Sequence, residues 1–310
     1  MSRRSKRAAA LEALPWRGPG PDRPTKLKLP PERLGLRFAG TNRKRWRYVG
    51  AYSGEVMVCA ARVQVGPVGQ TFWAVWDRRE RRLTERTTTR RPGARGEVWS
   101  QDEEGAAVEY APQEGSLVRI EAVHPEAGPV TGRLRVGAGD WAEVVCPNGE
   151  GGYVWTRKRA GVPVQVDIRI GDRHIISEAR GIEDESAGYH PRHTVWSWSA
   201  GTGVLNDGRA VGWNLVEGVN DPPERSERSI WVGGEPFEPG PCRFDGLEAI
   251  DFDDGARLLF AAEAERVASE DHRIMRYSYR QPFGTFRGTL AGGLELEHGL
   301  GVMEHHDALW

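Results

Sequence analysis

The densest group of side chains that could carry out chemistry lies in residues 181–198. Trp196 and Trp198 are two positions apart, so on a strand both indoles face the same side. An apolar wall of this kind disfavours a nearby negative charge and raises the pKa of a neighbouring carboxyl, which can then act as a general acid. Asp184 and Glu185 are the candidate acids. The alternative is purely structural, because an acidic loop before a tryptophan-rich core strand is common in β proteins.

Two histidines and a tyrosine in the same segment extend this candidate site. His193 and His190 could relay a proton, since imidazole titrates near neutral pH, and Tyr189 is a candidate ligand contact. The histidines make a weak zinc pair, because a separation of three places them on opposite faces of a strand and no third ligand is apparent. We therefore expect no metal. No dinucleotide, nucleoside-triphosphate, serine-hydrolase or zinc-protease motif is present, and no cofactor is expected.

Two further groups are candidates for the same site. Trp213 and Asn214 lie in a predicted strand, where an asparagine suggests a polar contact in a barrel lumen, although asparagine more often stabilises a bulge or turn. Near the end of the chain, Glu304 and His306 could face the pocket, Glu304 as an acid and His306 as a ligand contact. The alternative there is an aromatic plug with solvated charges.

Short, regularly spaced strands must position these groups. The chain has 39 glycines and 20 prolines, which together make up about a fifth of it against a usual ~12%. From residue 35 onward apolar residues alternate with polar ones or form short buried runs, each ended by turn residues. Only residues 261–268 form a run of good helix formers. The sequence predicts an all-β fold with few short helices, built as two antiparallel barrel or sandwich halves.

A glycine-rich stretch near the middle divides the predicted strands into two sets. We expect an extended N-terminal segment at 1–32, a barrel-like domain at 33–160 and a second barrel-like domain at 161–310. The first segment is rich in proline, which rules out a long helix. Trp16 is the residue expected to anchor it.

Charge and hydropathy exclude several classes of partner. The formal net charge is -1, from 43 basic and 44 acidic residues, so no overall field attracts a nucleic-acid backbone. No run approaches the ~18 apolar residues of a membrane-spanning helix. The basic N-terminus is not followed by the apolar core of a signal peptide, and the three widely spaced cysteines do not form a disulfide framework. These features predict a cytoplasmic protein, and they do not indicate its oligomeric state.

Four stretches in combination resemble the bacterial domain-of-unknown-function family twenty-eight-oh-four. More distantly, the acidic turn before Trp-x-Trp is similar to the hydroxyneurosporene synthase and AttH-like group of paired lipocalin-like (calycin) barrels. That likeness implies hydration or cofactor-free cyclisation of apolar substrates, with a lumen acid near Asp184 or Glu185 and aromatic walls from Trp196 and Trp198. The four stretches are residues 153–158, residues 184–189 with 192–198, residues 212–215 with 226–228, and residues 281–284 with 301–310.

Three functions are compatible with this sequence. The first is binding of a bulky apolar small molecule, such as a lipid or isoprenoid, in a barrel lumen or an inter-domain cleft. The second is a cofactor-free lyase or isomerase that uses a lumen carboxylic acid. The third is carbohydrate binding or hydrolysis, for which aromatic platforms and paired acids are also suited. Whether the protein is an enzyme stays open; a buried acid beside the pocket would favour catalysis.

Overall fold

The regular structure is almost entirely β-sheet. The computed structural model describes residues 11–20, 22–90, 96–100, 115–272 and 275–310, and the predicted strand at 106–110 lies outside these ranges. Within them, helix is confined to residues 11–12. The all-β fold class predicted from the sequence is therefore confirmed.

The strands of the N-terminal part form one large sheet. In chain order they are β1 (Trp16–Gly18), β2 (Arg37–Phe38), β3 (Thr41–Asn42), β4 (Lys44–Tyr52), β5 (Val56–Val65), β6 (Val68–Asp77), β7 (Arg82–Arg90), β8 (Val98–Ser100), β9 (Ser116–His124), β10 (Gly128–Val136), β11 (Ala142–Pro147), β12 (Tyr153–Ile170) and β13 (Arg173–Gly188). The spatial order is β7-β6-β5-β4-β13-β12-β10-β9-β8. β11 pairs with β12 and with β1, while β2 and β3 form a separate two-stranded sheet.

The remaining strands form a second antiparallel sheet. They are β14 (His193–Leu205), β15 (Ala210–Glu217), β16 (Ser229–Val232), β17 (Glu235–Phe237), β18 (Cys242–Asp245), β19 (Ala249–Phe252), β20 (Arg257–His272), β21 (Met275–Leu290) and β22 (Leu294–Leu309). The spatial order is β17-β16-β15-β14-β22-β21-β20-β19-β18. The helix formers at 261–268 lie within β20, because pairing with β21 along this strand overrides local helix propensity.

Each sheet curls into a half-barrel around its own apolar core. The first core is mainly valine, isoleucine and alanine, with Trp73 buried among them. The second contains Trp213, Phe260 and Phe286. A third cluster joins the two sheets and combines residues such as Tyr48 and Trp198. Side chains fill the cores of both half-barrels, and a cavity lies between the two halves.

Two glycines allow the backbones of the two sheets to approach closely. Gly161 lies at a register shift in β12 and has a φ of +75°. A Cβ on Gly212, in β15, would lie 2.4 Å from the Gly161 nitrogen and 2.7 Å from the Ala160 carbonyl carbon. A side chain at Gly212 would push the two half-barrels apart, whereas at Gly161 the positive φ is the reason that glycine is required.

The N-terminal segment runs along the first sheet and reaches the second. Trp16 is buried with Leu29 in a separate apolar cluster. Arg17 donates a hydrogen bond to the Ser229 hydroxyl at 2.9 Å. The first sheet ends at residue 188 and the second begins at 193, so the division expected at 160/161 falls within β12. Among the described residues, none forms a helix of the length and apolar character needed to cross a bilayer.

Candidate active site

The register between β14 and β22 brings the two predicted tryptophans against two predicted polar residues. Trp196 lies directly opposite His306, and Trp198 directly opposite Glu304. Since side chains alternate along each strand, all four point to the same face of the second sheet. β21 adds Tyr279, which lies opposite His306 on its other side.

The first sheet presents a matching face. Tyr48 in β4 lies opposite Asp184 in β13, and Asp184 lies opposite Lys158 in β12. Trp46 shares this face, two positions from Tyr48, and its indole is stacked on that of Trp196 with ring centroids 6.3 Å apart. The aromatic side chains of the two sheets therefore meet across the gap between the halves.

A cavity lies between these two faces. It contains about 940 Å³ of empty space, a figure that includes the open mouth. Its walls are mainly aromatic and aliphatic. The lining residues are Trp46, Tyr48, Ala61, Val63, Gln70, Phe72, Thr87, Lys158, Asp184, Trp196, Trp198, Val216, Val219, Asn220, Glu227, Arg266, Ala268, Tyr277, Tyr279, Glu304, His306 and Trp310.

Glu304 is a buried acid held by neutral donors. Its carboxyl accepts a hydrogen bond from the Trp196 indole at 2.8 Å and another from the Gln281 amide at 2.8 Å. Burial raises the pKa of Glu304 from 4.5 to about 7, against the opposing effect of hydrogen bonds from Trp196, Tyr279 and Gln281. The protonated and ionised forms of this carboxyl are therefore both populated near neutral pH.

Asp184 is held by a buried cation. Its Oδ1 accepts a hydrogen bond from Lys158 Nζ at 2.5 Å, and its Oδ2 accepts one from the Trp46 indole at 3.1 Å. Lys158 Nζ also lies 3.4 Å from a carboxylate oxygen of Glu227. Burial raises the pKa of Glu227, while the positive charge of Lys158 opposes that rise. Asp184 thus differs from Glu304 in having a direct positive partner.

The histidines near the cavity are neutral at physiological pH. Burial lowers the pKa of His306 to about 3, and that of His190 also to about 3. His306 packs on Trp196 with ring centroids 4.2 Å apart, and His190 packs on Trp46 at 4.8 Å. His306 lines the cavity, whereas His190 supports Trp46 from outside it. Protonating either ring would bury a positive charge in apolar surroundings, which is unfavourable.

Glu185 and His193 do not reach the cavity. Glu185 points to the opposite face of β13, where it pairs with Arg157 at 2.9 Å and with Arg47 at 3.5 Å. Its neighbour Asp184 faces the cavity because adjacent strand residues alternate. His193 is exposed and lies 2.8 Å from Asp307.

Three of the predicted ligand contacts lie behind the cavity or away from it. Tyr189 is buried in the N-terminal cluster, and its hydroxyl donates to the Gly35 carbonyl at 2.9 Å. Trp213 belongs to the core of the second half-barrel. Asn214 supports the cavity wall from behind, since its side-chain oxygen accepts a hydrogen bond from the Trp198 indole at 2.7 Å.

Several lining residues were not predicted from the sequence. They include Trp46 and Tyr48, whose strand is interrupted by arginines, and Lys158 and Arg266, which are isolated basic residues in long strands. An available signal was the alternation of aromatic residues at Trp46 and Tyr48, which matches the spacing of Trp196 and Trp198. In the described ranges no cluster of three or more His, Cys, Asp or Glu is arranged to hold a metal ion.

Fold and site define the class: an all-β protein of two half-barrels that enclose an aromatic cavity containing a buried acid. The chain belongs to the family described as "Domain of unknown function (DUF2804)", whose profile matches residues 32–310. The resemblance noted from the sequence is thereby confirmed. No curated protein matches the chain.

Several solved structures are similar to the chain. Kievitone hydratase from Nectria haematococca has a TM-score of 0.52 and 10% identity, with 86% of this chain and 89% of that chain covered. An AttH-like protein from Nitrosomonas europaea has a TM-score of 0.41 and 12% identity, covering 90% and 98%. CghA has a TM-score of 0.40 and 10% identity, covering 87% and 88%. At these identities the likeness concerns the fold alone.

Proposed function

We propose that this chain is a cofactor-free enzyme of the lyase or isomerase type, which binds a bulky apolar molecule between its half-barrels and transfers a proton through Glu304. The observation that carries the proposal is the position of Glu304, a buried carboxyl with a pKa of about 7 in an aromatic cavity. A general acid or base works best when its pKa lies near the operating pH.

Glu304 is a better candidate than Asp184 because of what surrounds each carboxyl. Lys158 Nζ lies 2.5 Å from the Asp184 carboxyl, so this carboxyl is already engaged in an ion pair. The groups that surround the Glu304 carboxyl are an indole, an amide and the Tyr279 hydroxyl, and none of them carries a charge. Proton transfer is therefore assigned to Glu304, while Asp184 and Lys158 position Trp46 and fix the cavity wall.

The cavity walls suit an apolar substrate. Trp46, Trp196 and Trp198 line the cavity. Aromatic rings can stabilise a positive charge that develops on a substrate carbon when it accepts a proton. The mainly apolar lining disfavours a sugar, whose hydroxyls need many polar partners. The fold shared with kievitone hydratase is compatible with this chemistry.

The test combines ligand identification with one substitution. Protein purified from its own host is analysed by native mass spectrometry, and the released small molecules are incubated with fresh enzyme to find a turnover. Glu304→Gln keeps the shape of the side chain and removes its titratable proton, so we expect binding within about threefold of wild type and a loss of turnover of about 100-fold or more, the usual contribution of a positioned acid.

Glu297→Gln is the matched control, since Glu297 lies on the same strand and is exposed. It should leave turnover unchanged. Full turnover in Glu304→Gln would contradict the assignment of the acid. A ligand that binds in the cavity and is returned unchanged under all conditions would support a carrier and refute the enzymatic function.

A further inference from the structure

Arg266 is a buried cation in the cavity wall. Its side chain is 2% exposed, and its guanidinium carbon lies 4.0 Å from the Phe72 ring centroid and 5.0 Å from that of Tyr279. Nη2 donates to the Thr87 hydroxyl at 2.6 Å, and Nε lies 3.0 Å from Glu85. The guanidinium therefore spans two aromatic faces inside the cavity, whereas its acidic partner Glu85 is 32% exposed.

Two donor nitrogens of Arg266 lack a hydrogen-bond acceptor among the described residues: Nε, which lies in the ion pair with Glu85, and Nη1. Within the part of the chain that the structure describes, Nη1 is buried without a hydrogen-bond partner. Buried donors are almost always paired in folded proteins, and an unpaired one is destabilising. An ion pair with Glu85 alone would not require the guanidinium to be buried in a ligand cavity. These facts indicate that an acceptor arrives with the ligand.

Tyr279 connects this cation to the proposed acid. Its ring packs against the Arg266 guanidinium and against His306, and its hydroxyl is close enough to affect the pKa of both Glu304 and Arg266. Burial keeps the pKa of the Tyr279 hydroxyl well above its usual value, so it remains a proton donor. A ligand atom at Arg266 would thus lie on the same wall as Glu304.

We propose that the ligand of this cavity is an amphipathic molecule whose apolar body packs on the tryptophans and whose oxygen acceptor, a carboxylate, enolate or carbonyl, binds Arg266 beside Tyr279. This inference rests on the proposed function in one respect, that the cavity is the ligand site. It adds the chemical class of the ligand, because a purely hydrocarbon molecule would leave the Nη1 donor of Arg266 without an acceptor.

Two fluorescent probes test the inference directly. Anilinonaphthalene sulfonate and N-phenylnaphthylamine share one ring system, and only the first carries anionic oxygens. The wild-type protein should bind the sulfonate about tenfold or more tightly than the uncharged probe, as a charge-assisted hydrogen bond predicts. In Arg266→Met this preference should fall below about threefold, with the affinity for N-phenylnaphthylamine unchanged within the same factor.

Matched variants separate the possible failures. Arg280→Met removes an exposed arginine of the neighbouring strand and should keep the wild-type preference. Arg266→Lys retains the positive charge and should keep part of the preference for the sulfonate. This result would show that the loss of preference in Arg266→Met does not come from a fold defect. If Trp198→Ala leaves both affinities unchanged, the probes do not occupy the cavity, and the proposed ligand site itself is refuted. If the probes occupy the cavity with equal affinity, only the oxygen-binding role of Arg266 is overturned.

Discussion

The raised pKa of Glu304 makes a quantitative prediction about stability. In the unfolded chain this carboxyl releases its proton near pH 4.5, whereas in the native protein it holds the proton up to about pH 7. Between these values the native state binds more protons than the unfolded state. The free energy of unfolding contributed by Glu304 is therefore fully present below pH 4.5 and is lost as pH rises to about 7.

The size of the effect follows from the shift. Each pKa unit corresponds to about 1.36 kcal/mol, so a shift from 4.5 to about 7 gives about 3 kcal/mol over this interval. Glu304→Gln cannot ionise and should lack this dependence. Relative to wild type, the variant should gain about 3 kcal/mol on going from pH 4.5 to pH 8.

Urea unfolding followed by tryptophan fluorescence at pH 4.5 and pH 8 measures the difference. His190, His306 and Lys44, whose pKa values are lowered by burial to about 3, about 3 and about 7, also change the stability of wild type with pH. They are common to both proteins, so their contributions cancel in the difference. Glu297→Gln should follow wild type. Parallel pH curves for wild type and Glu304→Gln would refute the reasoning, because a carboxyl with an ordinary pKa gives no difference in this range.

Two other substitutions test buried contacts, the first within the first sheet and the second between the two half-barrels. Glu183 is buried between two arginines, which hold its pKa at about 2, so its contribution is present above pH 4.5 and is lost as pH falls toward 2. Glu183→Gln should lower the free energy of unfolding at pH 7 by about 3–5 kcal/mol, measured by urea unfolding against the exposed Glu178→Gln; equal stabilities would contradict the burial. Gly212→Ala should destabilise the protein by about 1–3 kcal/mol and lower its thermal unfolding midpoint. Gly54→Ala is the control and should leave the midpoint unchanged, because a Cβ at that site meets open space. If both variants had the same midpoint, the close approach of the two backbones would be refuted.

Local periodicity was sufficient to predict part of the cavity. Trp196 and Trp198 share a face because they are two residues apart, and this holds wherever the strand lies. Asp184 and Glu185 could not be separated by the same argument, since alternation says that one faces the cavity but not which. The pairing of β13 with β4 and β12 decides the matter in favour of Asp184.

The rest of the site depends on contacts between distant parts of the chain. Arg266 and Lys158 meet the same cavity only because two separately formed sheets face each other. Trp213 was predicted as a ligand contact on the basis of its residue type. The odd and even positions of β15 face opposite sides of the sheet, and Trp213 lies on the side that packs into the core of the second half-barrel. The alternation of apolar and polar residues does not predict which apolar faces are fully packed in a core and which face a cavity.

The carboxyls that line the cavity come from both halves of the protein: Asp184 lies in the first sheet and Glu304 in the second. Neither half-barrel expressed alone would therefore bind the ligand, even if its own strands formed. The affinity of this protein for a small molecule should therefore report whether the two sheets are packed against each other. A mild denaturant concentration that separates the two sheets should abolish ligand binding, while the circular dichroism signal of the strands is still present.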